Sequence, residues 1–112
     1  MNVLAAEKAE KPRVRITQQF REAHNMTYEL ESSGARLILR VFPLGQDTPT
    51  EWRIEARASD AADAVVASAT AASRPLALEG VAQWWRENAA ARSLETYDWN
   101  AIAQAMTAVR AI

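Results

Sequence analysis

The sequence predicts an α+β domain in which an antiparallel meander sheet of four to five strands is followed by two C-terminal helices packed on one face. Between residues 13 and 58, apolar side chains recur at every second position, which indicates strands with one buried face. From residue 73 onwards they recur at helical spacing. Strands that precede helices, without alternating with them, are typical of an antiparallel sheet covered on one side.

Length and composition predict one cytoplasmic domain. The 112 residues correspond to about one domain of ordinary size, and we expect a flexible N-terminal tail over residues 1–12 and a single α+β domain over residues 13–112. The sequence contains no cysteine, which excludes disulfides and fits a reducing compartment. The longest uncharged runs, Ala64–Ser73 and Trp99–Val109, have ten and eleven residues and are far shorter than the roughly 20 apolar residues of a membrane span. We therefore expect no association with a membrane.

The first predicted strand begins at Arg13. Its alternation places Val14, Ile16, Gln18 and Phe20 on the inner face of the sheet, with the intervening polar residues on the other side. A helix over residues 18–24 is the alternative, because that segment includes good helix formers.

The next two strands, Met26–Ser32 and Ala35–Phe42, are predicted to form a hairpin. A two-residue loop, Ser33-Gly34, would close it, with glycine supplying the positive φ that such loops require. This register pairs Leu30 with Leu37, Tyr28 with Leu39 and Met26 with Val41 on one face. A slip by one residue would turn all of these side chains to solvent, so the pattern specifies the register.

A fourth strand follows a polar loop over residues 43–50. In it, Trp52, Ile54, Ala56 and Ala58 alternate with charged residues. The segment Ala64–Ala72 has the alanine content of a helix and the β-branched residues of a strand. We predict a strand there, with a helix as the alternative.

Two amphipathic helices are predicted in the C-terminal part. Ser73 is a candidate N-cap for the first, which would extend to about Arg92. Asp98 is a candidate N-cap for the second. The apolar stripe of the first consists of Leu78, Val81, Ala82, Trp85 and Ala89, and that of the second of Trp99, Ile102, Met106 and Val109.

No motif of catalysis, metal binding or nucleotide binding is present. His24 is the only histidine and lies between two predicted strands, where an exposed turn residue is expected. Pairs of carboxylates such as Glu29 with Glu31 alternate with arginines on neighbouring strands, which explains them as cross-strand ion pairs. Three glycines, at 34, 45 and 80, do not form a phosphate-binding loop. We therefore expect a protein that is not an enzyme and has no cofactor.

The surface of the sheet opposite its apolar face is the predicted feature that says most about function. Seven positive and four negative side chains on this outer face leave an excess of three positive charges, while the whole chain carries a net charge of −1. Ile38 and Phe42 interrupt the polar pattern with apolar area that favours a partner. The charged residues of this predicted face are Arg13, Arg15, Arg21, Arg36, Arg40, Arg53 and Arg57, with Glu29, Glu31, Glu51 and Glu55.

The outer face can be an ordinary solvated surface with ion pairs, or it can serve one of two binding functions. The first is a small interaction or regulatory module, which forms a homo-oligomer or docks another protein through this face. The alternative is binding of single-stranded nucleic acid, with arginines on phosphates and an aromatic residue stacked on bases. Trp84 is a further candidate, because adjacent helical residues point about 100° apart and Trp84 and Trp85 must diverge. The predicted partner-binding residues are Arg36, Ile38, Arg40, Phe42, Arg53, Arg57 and Trp84.

Overall fold

Five antiparallel strands lie side by side in chain order, and two helices follow them. The computed structural model describes residues 14–32, 34–45, 48–58 and 65–108, and over these residues it confirms the predicted α+β fold class. The predicted tail, residues 1–12, lies outside the described residues. The elements are β1 (Val14–Glu22), β2 (Asn25–Ser32), β3 (Ala35–Leu44), β4 (Glu51–Ala58), β5 (Ala67–Ala71), α1 (Arg74–Asn88) and α2 (Trp99–Ala108).

The hairpin of β2 and β3 has the predicted register. Leu30 pairs with Leu37, and the pairing continues in step to Met26 opposite Val41. Gly34 has a φ of +86°, the left-handed conformation expected of a glycine in a tight hairpin loop. The apolar side chains of both strands therefore share the inner face, which is the side that the helices cover.

β1 departs from the predicted alternation after Ile16. Ile16 pairs with Leu30, but the next pair is Gln18 with Glu29, so Thr17 is an extra residue in a β-bulge. The Thr17 hydroxyl donates a hydrogen bond of 3.1 Å to the Glu29 carbonyl. Because the bulge reverses the side on which later residues lie, the inner position predicted for residues 18 and 20 is wrong. The segment is a strand to its end at residue 22, so it does not form the alternative helix.

β5 resolves the alternative left open for the alanine-rich segment, because Ala67–Ala71 is a strand paired with β4. Small side chains here allow α1 to approach closely. A Cβ placed on Gly80 of α1 would lie 2.8 Å from the Cβ of Ala69, closer than two carbon atoms tolerate. The alanines thus support close packing of helix on sheet.

The core lies between the inner face and the two helices. α1 packs against β4 and β5, and α2 packs against β1 and α1. Ser73 caps α1 by accepting a hydrogen bond from the Leu76 amide, and Asp98 caps α2 by accepting one from the Ala101 amide. The larger fully buried side chains are Leu30, Leu37, Leu39, Ile54, Val81, Trp85, Ile102 and Met106.

The segment between the helices attaches them to one end of the sheet. α1 ends at Asn88, before the predicted Arg92, and the chain then turns back. The Tyr97 hydroxyl donates a hydrogen bond of 2.7 Å to the Arg36 carbonyl, and the Asp98 amide donates one of 3.0 Å to the hydroxyl of buried Ser32. The rings of Trp85, Tyr97 and Trp99 lie with centroids 5.4–5.8 Å apart.

We expect Gly80→Ala to lower the free energy of unfolding by about 1 kcal/mol. Alanine is about 1 kcal/mol better than glycine inside a helix, but overpacking typically costs about 1–3 kcal/mol, and the new methyl group would meet Ala69. Urea unfolding of Gly80→Ala, Ala69→Gly and the double variant measures the coupling. The double variant should be more stable than the sum of the single effects, and additive effects would contradict the close contact.

Tyr97→Phe should lower the free energy of unfolding by about 1 kcal/mol, the usual net contribution of one hydrogen bond. The phenyl ring keeps its packing against the two tryptophans, so the loss reports on the hydroxyl and the Arg36 carbonyl. Urea unfolding followed by circular dichroism measures it. An unchanged midpoint would show that the hydrogen bond contributes nothing net to stability.

Candidate functional site

The outer face is the surface of the sheet turned away from both helices. Six of the seven predicted partner-binding residues lie on it, four on β3 and two on β4. The seventh, Trp84, lies on α1 in the other layer. The described residues of the outer face include Arg15, Gln18, Phe20, Glu22, Thr27, Glu29, Glu31, Arg36, Ile38, Arg40, Phe42, Glu51, Arg53, Glu55 and Arg57.

The positive charge predicted for the outer face is wrong for the described residues. The bulge turns Arg21 to the inner face, opposite Met26, and brings Glu22 to the outer face. Arg13 lies outside the described residues. The face then carries five arginines, at 15, 36, 40, 53 and 57, and five glutamates, at 22, 29, 31, 51 and 55. These charges cancel.

Four of these five arginines form ion pairs with glutamates of the same face. Each pair is partly or fully accessible to water, so it contributes about 0–1 kcal/mol. The pairs still leave those guanidinium groups less available to an outside anion. The nitrogen–oxygen distances are 2.9 Å for Arg15–Glu31, 3.1 Å for Arg36–Glu29, 3.9 Å for Arg40–Glu22 and 3.8 Å for Arg53–Glu55.

Apolar side chains interrupt the charges around Arg40. Phe20 is 46% exposed, and Ile38 and Phe42 are half-buried. Phe20 reaches this face only because of the bulge, so the alternating pattern did not reveal it. The Arg40 guanidinium carbon lies 4.9 Å from the centroid of the Phe42 ring, a cation–π contact.

Arg57 differs from the other arginines of the outer face. Its Nε is buried and has no hydrogen-bond partner in the described part of the chain. An unsatisfied buried donor is destabilising by about 1–3 kcal/mol. Arg57 is therefore the least well satisfied of the predicted partner-binding residues.

Both edges of the sheet oppose the addition of another strand. β1 carries the bulge and several charged side chains, and β5 has only five residues. Short, bulged and charged edges discourage pairing with a second chain. The outer face is therefore a better contact surface than either edge.

Trp84 and Trp85 diverge as expected. Trp85 is buried in the core, while Trp84 is half-buried, and the two rings meet edge to face at 6.1 Å. The Arg92 guanidinium carbon lies 5.4 Å from the centroid of the Trp84 ring. Trp84 thus borders a separate surface and does not extend the outer face.

A cavity of about 190 Å³, the end cavity, opens at the opposite end of the inner face from the contact between Ser32 and Asp98. Sequence reasoning missed it, because Arg21 was assigned to the outer face and Arg74 had no assigned contact. Only the chain fold brings the two arginines together. The lining residues are Arg21, His24, Met26, Tyr28, Val41, Pro43, Pro49, Trp52 and Arg74.

The electrostatics of the end cavity are dominated by its two arginines. The Arg74 guanidinium carbon lies 4.5 Å from the centroid of the Trp52 ring. Burial raises the pKa of Tyr28, while the positive charges of Arg74 and Arg21 oppose that rise. Both cations therefore act on the same hydroxyl group. No carboxylate occurs among the described residues of the lining.

The described ranges contain no group of three or more histidine, cysteine or acidic residues that could hold a metal ion. The described helices include none that is long and apolar enough to cross a bilayer. Comparisons of the chain with family models, with curated proteins and with solved structures found no match. The outer face and the end cavity are therefore the candidate sites of the described residues.

We expect the free energy of unfolding to fall as the pH rises above about 10, the pKa of an unperturbed tyrosine. Folding raises the pKa of Tyr28, so at such pH the folded chain keeps a proton that the unfolded chain loses. Below that pH this group adds no pH dependence.

Urea unfolding of the wild-type chain and Tyr28→Phe across this pH range measures the effect. The difference between the two unfolding free energies should change above about pH 10 and stay constant below it. Parallel curves throughout would contradict the raised pKa.

Proposed function

We propose that this protein is a non-catalytic interaction module that pairs with a second copy of itself through the outer face. The observation that carries the proposal is that exposed Phe20, with Ile38 and Phe42, lies on a face whose five arginines and five glutamates balance. A cytoplasmic location, suggested by the cysteine-free sequence, is part of the same proposal.

Charge balance favours a second copy over a partner of one sign. In a twofold dimer the same patch meets itself, so a surface dominated by positive charge would repel its copy. The outer face presents both signs side by side, as in the row Arg15, Glu31, Arg36 across three strands. Rotation by a half turn can bring arginines of one copy against glutamates of the other.

The apolar side chains supply the centre of such an interface. Ile38 and Phe42 flank Arg40 along β3. Phe20 pairs with Thr27, which in turn pairs with Arg40, so these three residues form one row across the strands. Aromatic residues and arginine are enriched at the residues that dominate binding energy, with charged residues around them. Phe20, Arg40 and Phe42 fit this arrangement.

The size of the face limits the affinity. Strands about 4.8 Å apart that rise about 3.3 Å per residue outline a face of about 20 by 26 Å for five strands of eight residues. A standard interface buries about 800 Å² on each partner, so this face is small. We expect a dimer with a dissociation constant of about 1–100 μM.

Phe20→Ser should weaken the dimer at least about tenfold, because an aromatic anchor at an interface commonly contributes more than 1.4 kcal/mol. Sedimentation equilibrium across the micromolar range measures it. Leu76→Ser is the matched control, since Leu76 is 59% exposed on the helical side and its loss should leave the dimer unchanged. A wild-type chain that stays monomeric at all concentrations, or equal effects of both variants, would overturn the proposal.

A charge-reversal pair tests self-complementarity directly. The acidic variant carries Arg36→Glu, Arg40→Glu and Arg53→Glu, and the basic variant carries Glu22→Arg, Glu29→Arg and Glu55→Arg. Each alone should be monomeric because like charges meet, and an equimolar mixture should form a heterodimer that weakens with salt. Variants that fold but do not associate when mixed would contradict pairing through the outer face.

Binding of single-stranded nucleic acid is a second candidate, supported by the presence of Phe20 beside Phe42, since exposed aromatic rings stack on bases. The balanced charge of the face and its ion pairs oppose it. Anisotropy of labelled single-stranded DNA and RNA at two salt concentrations tests it. Tight binding that weakens steeply with salt, and that is lost in Arg36→Glu/Arg40→Glu, would favour this candidate over the dimer.

A further inference from the structure

We propose that the end cavity binds a small organic anion, with its oxyanion group against Arg21 and Arg74 and its apolar part over the adjoining apolar wall. The site lies on the inner side of the sheet, so the inference does not depend on pairing through the outer face.

The first argument is charge without compensation. Four arginines of the outer face have glutamate partners, whereas neither Arg21 nor Arg74 forms an ion pair with any described residue. Both line one cavity, and its described lining contains no carboxylate. Two cations that line the same partly enclosed space repel each other, and a bound anion relieves that repulsion.

The second argument is the ordering of Arg74. Its guanidinium carbon lies 4.5 Å from the centroid of the Trp52 ring, so the ring face restrains the planar group before any ligand arrives. A guanidinium held over an aromatic ring can still donate hydrogen bonds, in the paired geometry that matches carboxylate and phosphate oxygens. Restraint in advance lowers the entropy lost on binding.

The third argument is the Tyr28 hydroxyl. Tyr28 is only 5% exposed and lines the cavity, and its hydroxyl makes no hydrogen bond with the described residues. The hydroxyl therefore keeps its hydrogen-bonding capacity for a ligand in the cavity. Because burial raises its pKa, it stays protonated at neutral pH and can donate to an anion.

The remaining wall determines the rest of the ligand. Met26, Val41, Pro43 and Trp52 are apolar or aromatic lining residues, and a purely inorganic ion would leave them uncovered. A volume of about 190 Å³ is below the roughly 300 Å³ at which drug-sized pockets begin. A carboxylate or phosphate on a single small ring or short chain fits these dimensions.

The probes are benzoate, benzamide and inorganic phosphate, titrated into the full chain and followed by the tryptophan indole N–H signals in NMR spectra. Benzoate combines an oxyanion with an apolar ring, benzamide is its neutral analogue, and phosphate has no apolar part. We expect benzoate to bind in the millimolar range or tighter and to shift the Trp52 signal. Benzamide and phosphate should each bind at least about tenfold more weakly.

Arg21→Gln should weaken benzoate binding about tenfold or more, since a charge-assisted contact is lost. Arg21 has an exposed side chain and no ion pair in the described residues, so this variant should fold. Arg74→Gln should also weaken benzoate binding. If loss of the Arg74–Trp52 contact destabilises the chain, Arg21→Gln, which leaves that contact in place, keeps the test valid. Arg86→Gln is the control, because Arg86 pairs with Glu79 on α1, away from the cavity.

Three results would overturn the proposal. They are equal binding of benzamide and benzoate, unchanged benzoate affinity in Arg21→Gln, and phosphate binding as tight as that of benzoate, which would reduce the site to a simple anion contact. The Phe20→Ser variant should bind benzoate like the wild-type chain. A failed dimer and a failed cavity site are therefore distinguishable.

Discussion

The extra residue in β1 decides what each surface of the sheet presents. With regular alternation, Arg21 would lie on the outer face, and Phe20 and Glu22 would lie on the inner face. The bulge at Thr17 exchanges them, held by the hydrogen bond from its hydroxyl to the Glu29 carbonyl. One inserted residue thereby removes a cation from the outer face, adds an anion and a phenyl ring to it, and delivers the cation to the end cavity.

Packing of the helices explains why that cavity stays open. The contact between Gly80 and Ala69 brings α1 onto β5, and the bonds from Tyr97 and Asp98 attach the following segment to the Arg36 and Ser32 end of the sheet. The inner-face residues at that end, such as Ser32, Leu37 and Ala58, are buried. At the other end, Arg74 in the first turn of α1 lies over the ring of Trp52.

The two surfaces differ in how their arginines are compensated. On the outer face the guanidinium groups alternate with carboxylates and form ion pairs, so the surface suits a partner that carries both signs, such as its own copy. In the end cavity two guanidinium groups act on one tyrosine hydroxyl, and the described lining has no carboxylate. That environment suits an anion. The same residue type thus points to different partners, because its neighbours differ.

The sequence by itself determined the α+β class, the register of the β2–β3 hairpin and the caps at Ser73 and Asp98. These features depend on local periodicity, on the conformational freedom of Gly34 and on hydrogen bonds within a few residues. Only the tertiary structure decided the face on which Phe20, Arg21 and Glu22 lie, because a bulge changes pairing without changing the composition of the strand. It also decided that Ala67–Ala71 is a strand, since its alanines allow the close approach of α1. The placement of Arg21 and Arg74 around one cavity, although they lie more than fifty residues apart in the sequence, depends on long-range packing that periodicity does not encode.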